Sequence, residues 1–151
     1  MKAVIALGAN LGEPSEAIEL AITLLSQAST LISRSSLYTT KPVGGPPQGD
    51  FINAVCIIDS DLPEMDLLGL LHGIEKSMGR ERIERWGPRV IDCDLITYGE
   101  VVHDEEFLHL PHPRAHLRRF VLEPWLEIEP DAVLHPYGRV ADILAQLPLS
   151  Q

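Results

Sequence analysis

The stretch Arg85-Trp86-Gly87-Pro88-Arg89-Val90-Ile91-Asp92-Cys93-Asp94-Leu95-Ile96-Thr97-Tyr98 is the one around which the rest of the chain is organised. It opens with a tight Gly87-Pro88 turn set between two arginines, then runs into residues 90–98, whose apolar and β-branched content predicts a strand. Side chains alternate along a strand, so Asp92 and Asp94 leave one face together while Ile91, Cys93 and Leu95 point the other way, into the core. Two carboxylates on one face make an oxygen site for Mg²⁺, an ion that usually takes one or two carboxylates plus substrate phosphates. Arg89, three residues upstream of Asp92, adds a planar fork suited to a phosphate oxygen. The combination points to a metal–nucleotide site. Taken alone, an Asp-x-Asp pair is more often the solvated face of an edge strand, and a Gly-Pro turn is ordinary punctuation.

Composition narrows the alternatives. A chain of 151 residues suits one domain, residues 1–151, built on a single core. An apolar content of 45% with 23% charged residues fits a soluble globular protein, and no apolar run reaches the length of a membrane helix. The opening Met1-Lys2-Ala3-Val4-Ile5-Ala6-Leu7 stops at Gly8-Ala9-Asn10, too short for a secretory signal, and reads as a first core strand. Cys56 and Cys93 both fall in predicted strands without zinc-ligand spacing, so they are expected as buried thiols in a reducing cytoplasm. A net charge of −10 argues against a general nucleic-acid binder. Yet seven of the twelve basic residues lie between Arg80 and Arg119, a local cluster that fits a small polyanion.

In chain order, residues 2–7 read as an apolar and therefore central strand, and residues 14–28 as an amphipathic helix started by Pro14. Residues 31–38 alternate as a second strand and residues 51–60 form a third, the two pairing antiparallel across residues 39–50. That intervening loop carries Pro42, Gly44, Gly45, Pro46, Pro47 and Gly49, a length and composition that mark a functional or mobile segment. Pro63 opens a second helix to about Met78, on which His72 and Glu75 are neighbours. The arginine-bearing loop 79–89 then leads into the strand with the two aspartates, read as central. A turn and one short strand follow over residues 100–110. Next come Pro111-His112-Pro113-Arg114-Ala115-His116-Leu117-Arg118-Arg119-Phe120, a helix over 120–127, a small hairpin or extended tail over 131–139 and a short helix over 140–147.

The spacing Arg-Trp-Gly-Pro-Arg-x-x-Asp-x-Asp resembles the signature of the 6-hydroxymethyl-7,8-dihydropterin pyrophosphokinase family, which moves pyrophosphate from ATP to a pterin. The glycine-x-asparagine at residues 8–10 and the segment 111–120 resemble that family's opening and its second signature, and the resemblance spans residues 8 to about 130. Two departures stand out: Cys93 replaces an aliphatic residue, and His72 occupies a position where glutamine is usual. The resemblance implies that Asp92 and Asp94 hold two Mg²⁺ ions bridging the triphosphate. On the nucleotide side it implies contacts from His72, Glu75, Arg80, Arg82, Trp86, Arg89, Leu95, His112 and Arg118. Arg80, Arg82 and Arg89 would act with the aspartates in the transfer itself. Arg85 is a further candidate there, and the 80–85 spacing, one residue shorter than in some members, blurs the place of Arg82. For the pterin it implies stacking by Phe51 and Phe120, with Thr40, Val43, Gly44, Asn53, Trp86 and Asp92 around the ring.

The order β-α-β-β-α-β with carboxyl-terminal additions predicts an α+β, ferredoxin-like fold: a mostly antiparallel sheet with helices on its faces. The expected protein is a cytoplasmic, monomeric transferase for folate biosynthesis that uses ATP and binds neither nucleic acid nor membrane. The loops 39–50 and 79–89 are expected to be mobile and to close over the bound substrates. Two other readings of the same fold are a non-catalytic ligand-binding module and an RNA-binding domain. The second lacks an aromatic-bearing ribonucleoprotein strand and has the wrong charge.

Overall fold

A computed structural model describes residues 1–42, 45–79 and 90–149. Strand β1 (Lys2–Ala9) is apolar on both faces, and a strand of that kind belongs inside a sheet covered on both sides. It lies there, antiparallel to β4 (Phe51–Asp59) on one side and to β5 (Asp92–Tyr98) on the other. The sheet order is β2-β4-β1-β5, with β2 (Thr30–Arg34) and the short β3 (Tyr38–Thr40) both pairing with β4. These connections, with helices α1 (Pro14–Ala28) and α2 (Glu64–Ser77) as crossovers, give the antiparallel α+β arrangement expected of a ferredoxin-like chain.

Alternation along the strands sorts the core into two clusters. Ala3, Ile5, Leu7 and Ala9 of β1 join Ala54, Cys56 and Ile58 of β4 and Cys93 and Leu95 of β5 under α1 and α2. The opposite face, with Val4, Ala6, Val55, Ile57 and Ile96, is covered by α3 (Arg119–Ile128) and α4 (Val140–Gln146). Trp125 on α3 is among the largest fully buried side chains of that second layer. The carboxyl-terminal additions therefore do structural work: they close the face that α1 and α2 leave open.

Three details differ from the sequence reading. The strand expected over 31–38 is broken between β2 and β3. There the buried Ser35 turns its backbone N–H to Val55 O (2.8 Å) and its hydroxyl oxygen to the Val55 N–H (2.9 Å). This side-chain competition with the ladder interrupts regular pairing. Strand β5 is at the edge of the sheet, not its centre. Residues 100–110 form a two-stranded hairpin, β6 (His103–Glu105) with β7 (Leu108–Leu110), where a single strand was expected. The second small hairpin, β8 (Val133–Leu134) with β9 (Gly138–Arg139), lies within the 131–139 segment as read.

Both thiols are buried, free and pushed upward in pKa, Cys56 to about 12 by burial, and Cys93 upward by burial and then by Glu75. At 3% exposure Cys93 has neither access nor thiolate character. Native protein treated with a thiol reagent should therefore label at Cys93 only on unfolding. Rapid native labelling there would mean that the faces of β5 are reversed.

Candidate active site

Strand β5 has one covered side chain for every one it turns to the opposite face, and register fixes which is which. Asp92 lies opposite Gly8 and Asp94 opposite Ala6, whereas Cys93 lies opposite Leu7 in the α1–α2 core. Directly paired residues share a face, so both aspartates leave the sheet on the side of α3. The alternation read from the sequence holds, and Ile91, Cys93 and Leu95 are all core residues.

On that same face the sheet brings together residues that are far apart in sequence. Asn53 pairs with both Gly8 and Tyr38, so one transverse row runs Tyr38, Asn53, Gly8, Asp92 across four strands. Thr40 lies opposite Phe51 one step along. Asn53 is 5% exposed, and its Nδ2 donates to Thr40 Oγ1 at 2.5 Å. At the end of β1, Asn10 Nδ2 donates to Gln48 Oε1 (2.9 Å) and to Gly49 O (3.0 Å), tying the glycine–proline loop to the sheet just before Phe51.

The segment after β7 closes the site from above. The His112 N–H donates to Ile96 O at 2.8 Å, which holds this segment beside β5. The Arg114 N–H donates to His112 Nδ1 at 3.1 Å, so the neutral ring carries its proton on Nε2. Burial, then Arg118, Arg114 and His109, push the His112 pKa down to about 4. A 3-10 turn, Ala115–Leu117, leads into α3, where the Arg118 guanidinium carbon lies 5.5 Å from the centre of the half-buried Phe120 ring. Burial lowers the Arg118 pKa, while Asp94 and Asp92 favour its charge. Arg118 thus lies beside the Phe120 ring and feels the charge of Asp94 and Asp92, where β5, the 111–118 segment and α3 meet.

Not every expected residue joins them. Leu95 is 5% exposed in the opposite core, so its side chain cannot touch a ligand on the aspartate face. His72 is exposed on α2, whereas Glu75, expected with it as a nucleotide contact, is 4% exposed, with Oε2 accepting the Cys93 N–H at 2.9 Å. Since α2 covers the other side of the sheet, His72 reaches a ligand only around the edge of β5. Val43, Gly44, Arg80, Arg82, Arg85, Trp86 and Arg89 lie outside the described residues.

Two features escaped the sequence reading. The Glu75 carboxylate, bonded to the one residue between the two aspartates, is a fastening for the strand that carries them; a buried acid on an otherwise apolar helix stripe was its only signal. On α3, Glu127 accepts from Ser36 N–H (3.0 Å), Ser36 Oγ (3.0 Å) and Tyr38 Oη (2.6 Å), which binds the broken strand to the helix carrying Phe120. Burial and the bond to Glu127 raise the Tyr38 pKa to about 12, and that bond lowers the pKa of Glu127.

The sheet is antiparallel and covered on both faces, and carboxylates, a guanidinium and an aromatic ring stand at one end of it. The family model described as 7,8-dihydro-6-hydroxymethylpterin-pyrophosphokinase matches residues 4–130. The 2-amino-4-hydroxy-6-hydroxymethyldihydropteridine pyrophosphokinase of Haemophilus influenzae is 40% identical over 146 residues, covering 95% of this chain and 91% of its own. Its namesake in Pseudomonas aeruginosa is 38% identical over 146 residues (95% and 90%), and that of Bacillus subtilis 41% over 128 (83% and 77%). The chain belongs to the 7,8-dihydro-6-hydroxymethylpterin-pyrophosphokinase family.

Two measurements test this geometry. Glu75→Gln keeps an acceptor for the Cys93 N–H and Glu75→Leu does not, so denaturant unfolding should find the leucine variant less stable by about 1–3 kcal/mol. Equal stabilities would mean that the bond is not a fastening. For His112, the folded pKa of about 4 lies below the ordinary 6.5, so between those values the unfolded chain binds the extra proton. The stability it contributes is full above pH 6.5 and falls away toward pH 4. The melting temperature of His112→Asn should therefore depend less on pH across that window than that of the unsubstituted protein.

Proposed function

We propose that the Asp92–Asp94 face is where this chain carries out its family's reaction, transfer of pyrophosphate to 6-hydroxymethyl-7,8-dihydropterin in folate biosynthesis, with ATP as donor. The observation that carries this reading is the meeting of Asp92, Asp94, Arg118 and Phe120 at one end of the sheet. Asp92 and Asp94 are the residues that would hold Mg²⁺, as two ions. Two carboxylates projecting from adjacent same-face positions of an edge strand suit a hard cation that completes its shell with substrate phosphates. Among the described residues no group of three or more His, Cys, Asp or Glu side chains is placed to hold a metal, so the donor set fits a metal shared with substrate better than a protein cage. When bound, Mg²⁺ supplies positive charge that offsets the triphosphate.

The chain's own residues divide between the two substrates. Arg118 and His112 line the phosphate side, and the same role falls to Arg80, Arg82 and Arg89, which lie outside the described residues. The Nε2–H of His112 is a neutral donor for a phosphate oxygen. Phe51 and Phe120 hold the pterin ring, with Thr40, Asn53 and the 43–44 backbone at its polar edge and Trp86 beside it. Because β5 is an edge strand, a nucleotide lying along it meets the aspartates on one side and His72 of α2 on the other. The hydroxymethyl oxygen forms a bond to the β-phosphorus as the bond from that phosphorus to the α-phosphate oxygen breaks. AMP leaves with that oxygen, and the hydroxyl proton passes to solvent. Little covalent work falls to the protein; positioning and charge do most of it. We read the protein as one catalytic domain, acting as a cytoplasmic monomer without nucleic acid or membrane. Among the described residues no helix is long and apolar enough to cross a membrane.

Incubation with Mg-ATP and the reduced pterin should yield AMP and the pterin diphosphate in equal amounts. ADP with a pterin monophosphate would overturn the reading. Asp94→Asn should keep the native circular dichroism spectrum and lose turnover by about a hundredfold or more. An unchanged rate at saturating Mg-ATP would remove Asp94 from the site.

A further inference from the structure

Gly8 lies inside β1, one of the two inner strands, although glycine in a strand is less stable than alanine and leaves nothing to pack. The backbone does not call for it: positive φ angles occur at Gly12, Gly45, Gly79, Gly99 and Gly138, not at Gly8. Packing within the described residues presses on position 8 at one point only. A Cβ at Gly8 would meet Asn53 Oδ1 at 3.1 Å, with the next atoms, Ile52 O and Phe51 Cδ1, at 4.0 Å. That one close neighbour is the end of a side chain, which a methyl group at position 8 would have to displace by a few tenths of an ångström. Gly99 shows the contrast: there φ is +54° and a Cβ would stand 2.7 Å from Met1 Sδ, so the fold itself demands glycine.

What Gly8 leaves bare is a gap in the row Asn53, Gly8, Asp92. Neighbouring strands are about 4.8 Å apart, so the flanking backbones stand roughly 10 Å from each other, enough for a flat bicyclic ring between their side chains. We propose that Gly8 is a specificity-determining residue: the bare strip of β1 between Asn53 and Asp92 admits a planar heteroaromatic ring close to the backbone, in space that any side chain at position 8 would fill. This rests on the reading above that the pterin binds on this face.

The Asn53 amide adds a chemical preference. Asn53 Nδ2 is committed to Thr40, so Oδ1 is the atom beside the gap. A carbonyl oxygen accepts, so the ring edge laid against it must carry N–H donors.

The test is Gly8→Ala, followed by thermal unfolding and by calorimetric titration with 6-hydroxymethyl-7,8-dihydropterin and, separately, with α,β-methylene-ATP and Mg²⁺. The melting temperature should stay level or rise. Pterin affinity should fall at least about tenfold, because a methyl group would be forced into occupied space, and nucleotide affinity should stay within about twofold. A lowered melting temperature or a variant that does not fold would show that the protein itself needs the glycine, and would overturn the proposal. So would unchanged pterin affinity, or equal losses for both ligands. The unsubstituted protein separates the two levels: if it binds no pterin, the functional reading fails, whereas a pterin-binding parent with an equally competent Gly8→Ala variant defeats only the role of Gly8.

Discussion

The antiparallel pairing of β1 with β5 is the constraint on which the rest depends. It sets Asp92 against Gly8 and Asp94 against Ala6, and it thereby decides that the carboxylates face α3 while Cys93 and Leu95 enter the other core. A slip of one residue would exchange the two sets, burying two acids and exposing a thiol and a leucine. The cost of burying unpaired carboxylates makes that register unambiguous. Everything else in the site is arranged around a strand whose orientation is settled by its hydrophobic half.

A strand at the edge of a sheet has backbone groups without ladder partners, and native proteins cover or use them. Here the Cys93 N–H goes to Glu75 from the helix layer below, while Ile96 O receives the His112 N–H from the segment above. Both are ties to the ends of the very strand that bears the aspartates. The edge is thus held from both layers.

The sequence made most of this legible because its signals were local and periodic. The alternation from Ile91 to Leu95 gave the two faces of β5, and the apolar stripe from Ile18 to Leu25 gave α1 to the residue. The convergence of Arg118 and Phe120 on the aspartates came through the resemblance of the 111–120 segment, not through any pattern in the residues. What stayed hidden depended on three-dimensional partners. Residues 31–38 alternate well enough to read as one strand, and only the Val55 N–H and C=O explain why Ser35 breaks it. Sheet order is likewise absent from a linear pattern, so the apolar β5 looked central. The inward turn of Glu75 was hidden because helical spacing shows adjacency to His72 but not which of the two is buried.

The pairing of β1 with β5 also contains an irregularity: Val4 lies opposite Thr97 but Ile5 opposite Leu95, leaving Ile96 as an extra residue. Beyond it the alternation restarts, so that Tyr98 turns into the α1–α2 core and its hydroxyl donates to Leu62 O at 2.5 Å. The bulge works as a phase shifter. It lets one half of the strand be tuned for chemistry and the other for anchorage, each with its own parity. Losing a single residue there would couple the two halves, so that seating the tyrosine and presenting the acids could no longer both be satisfied.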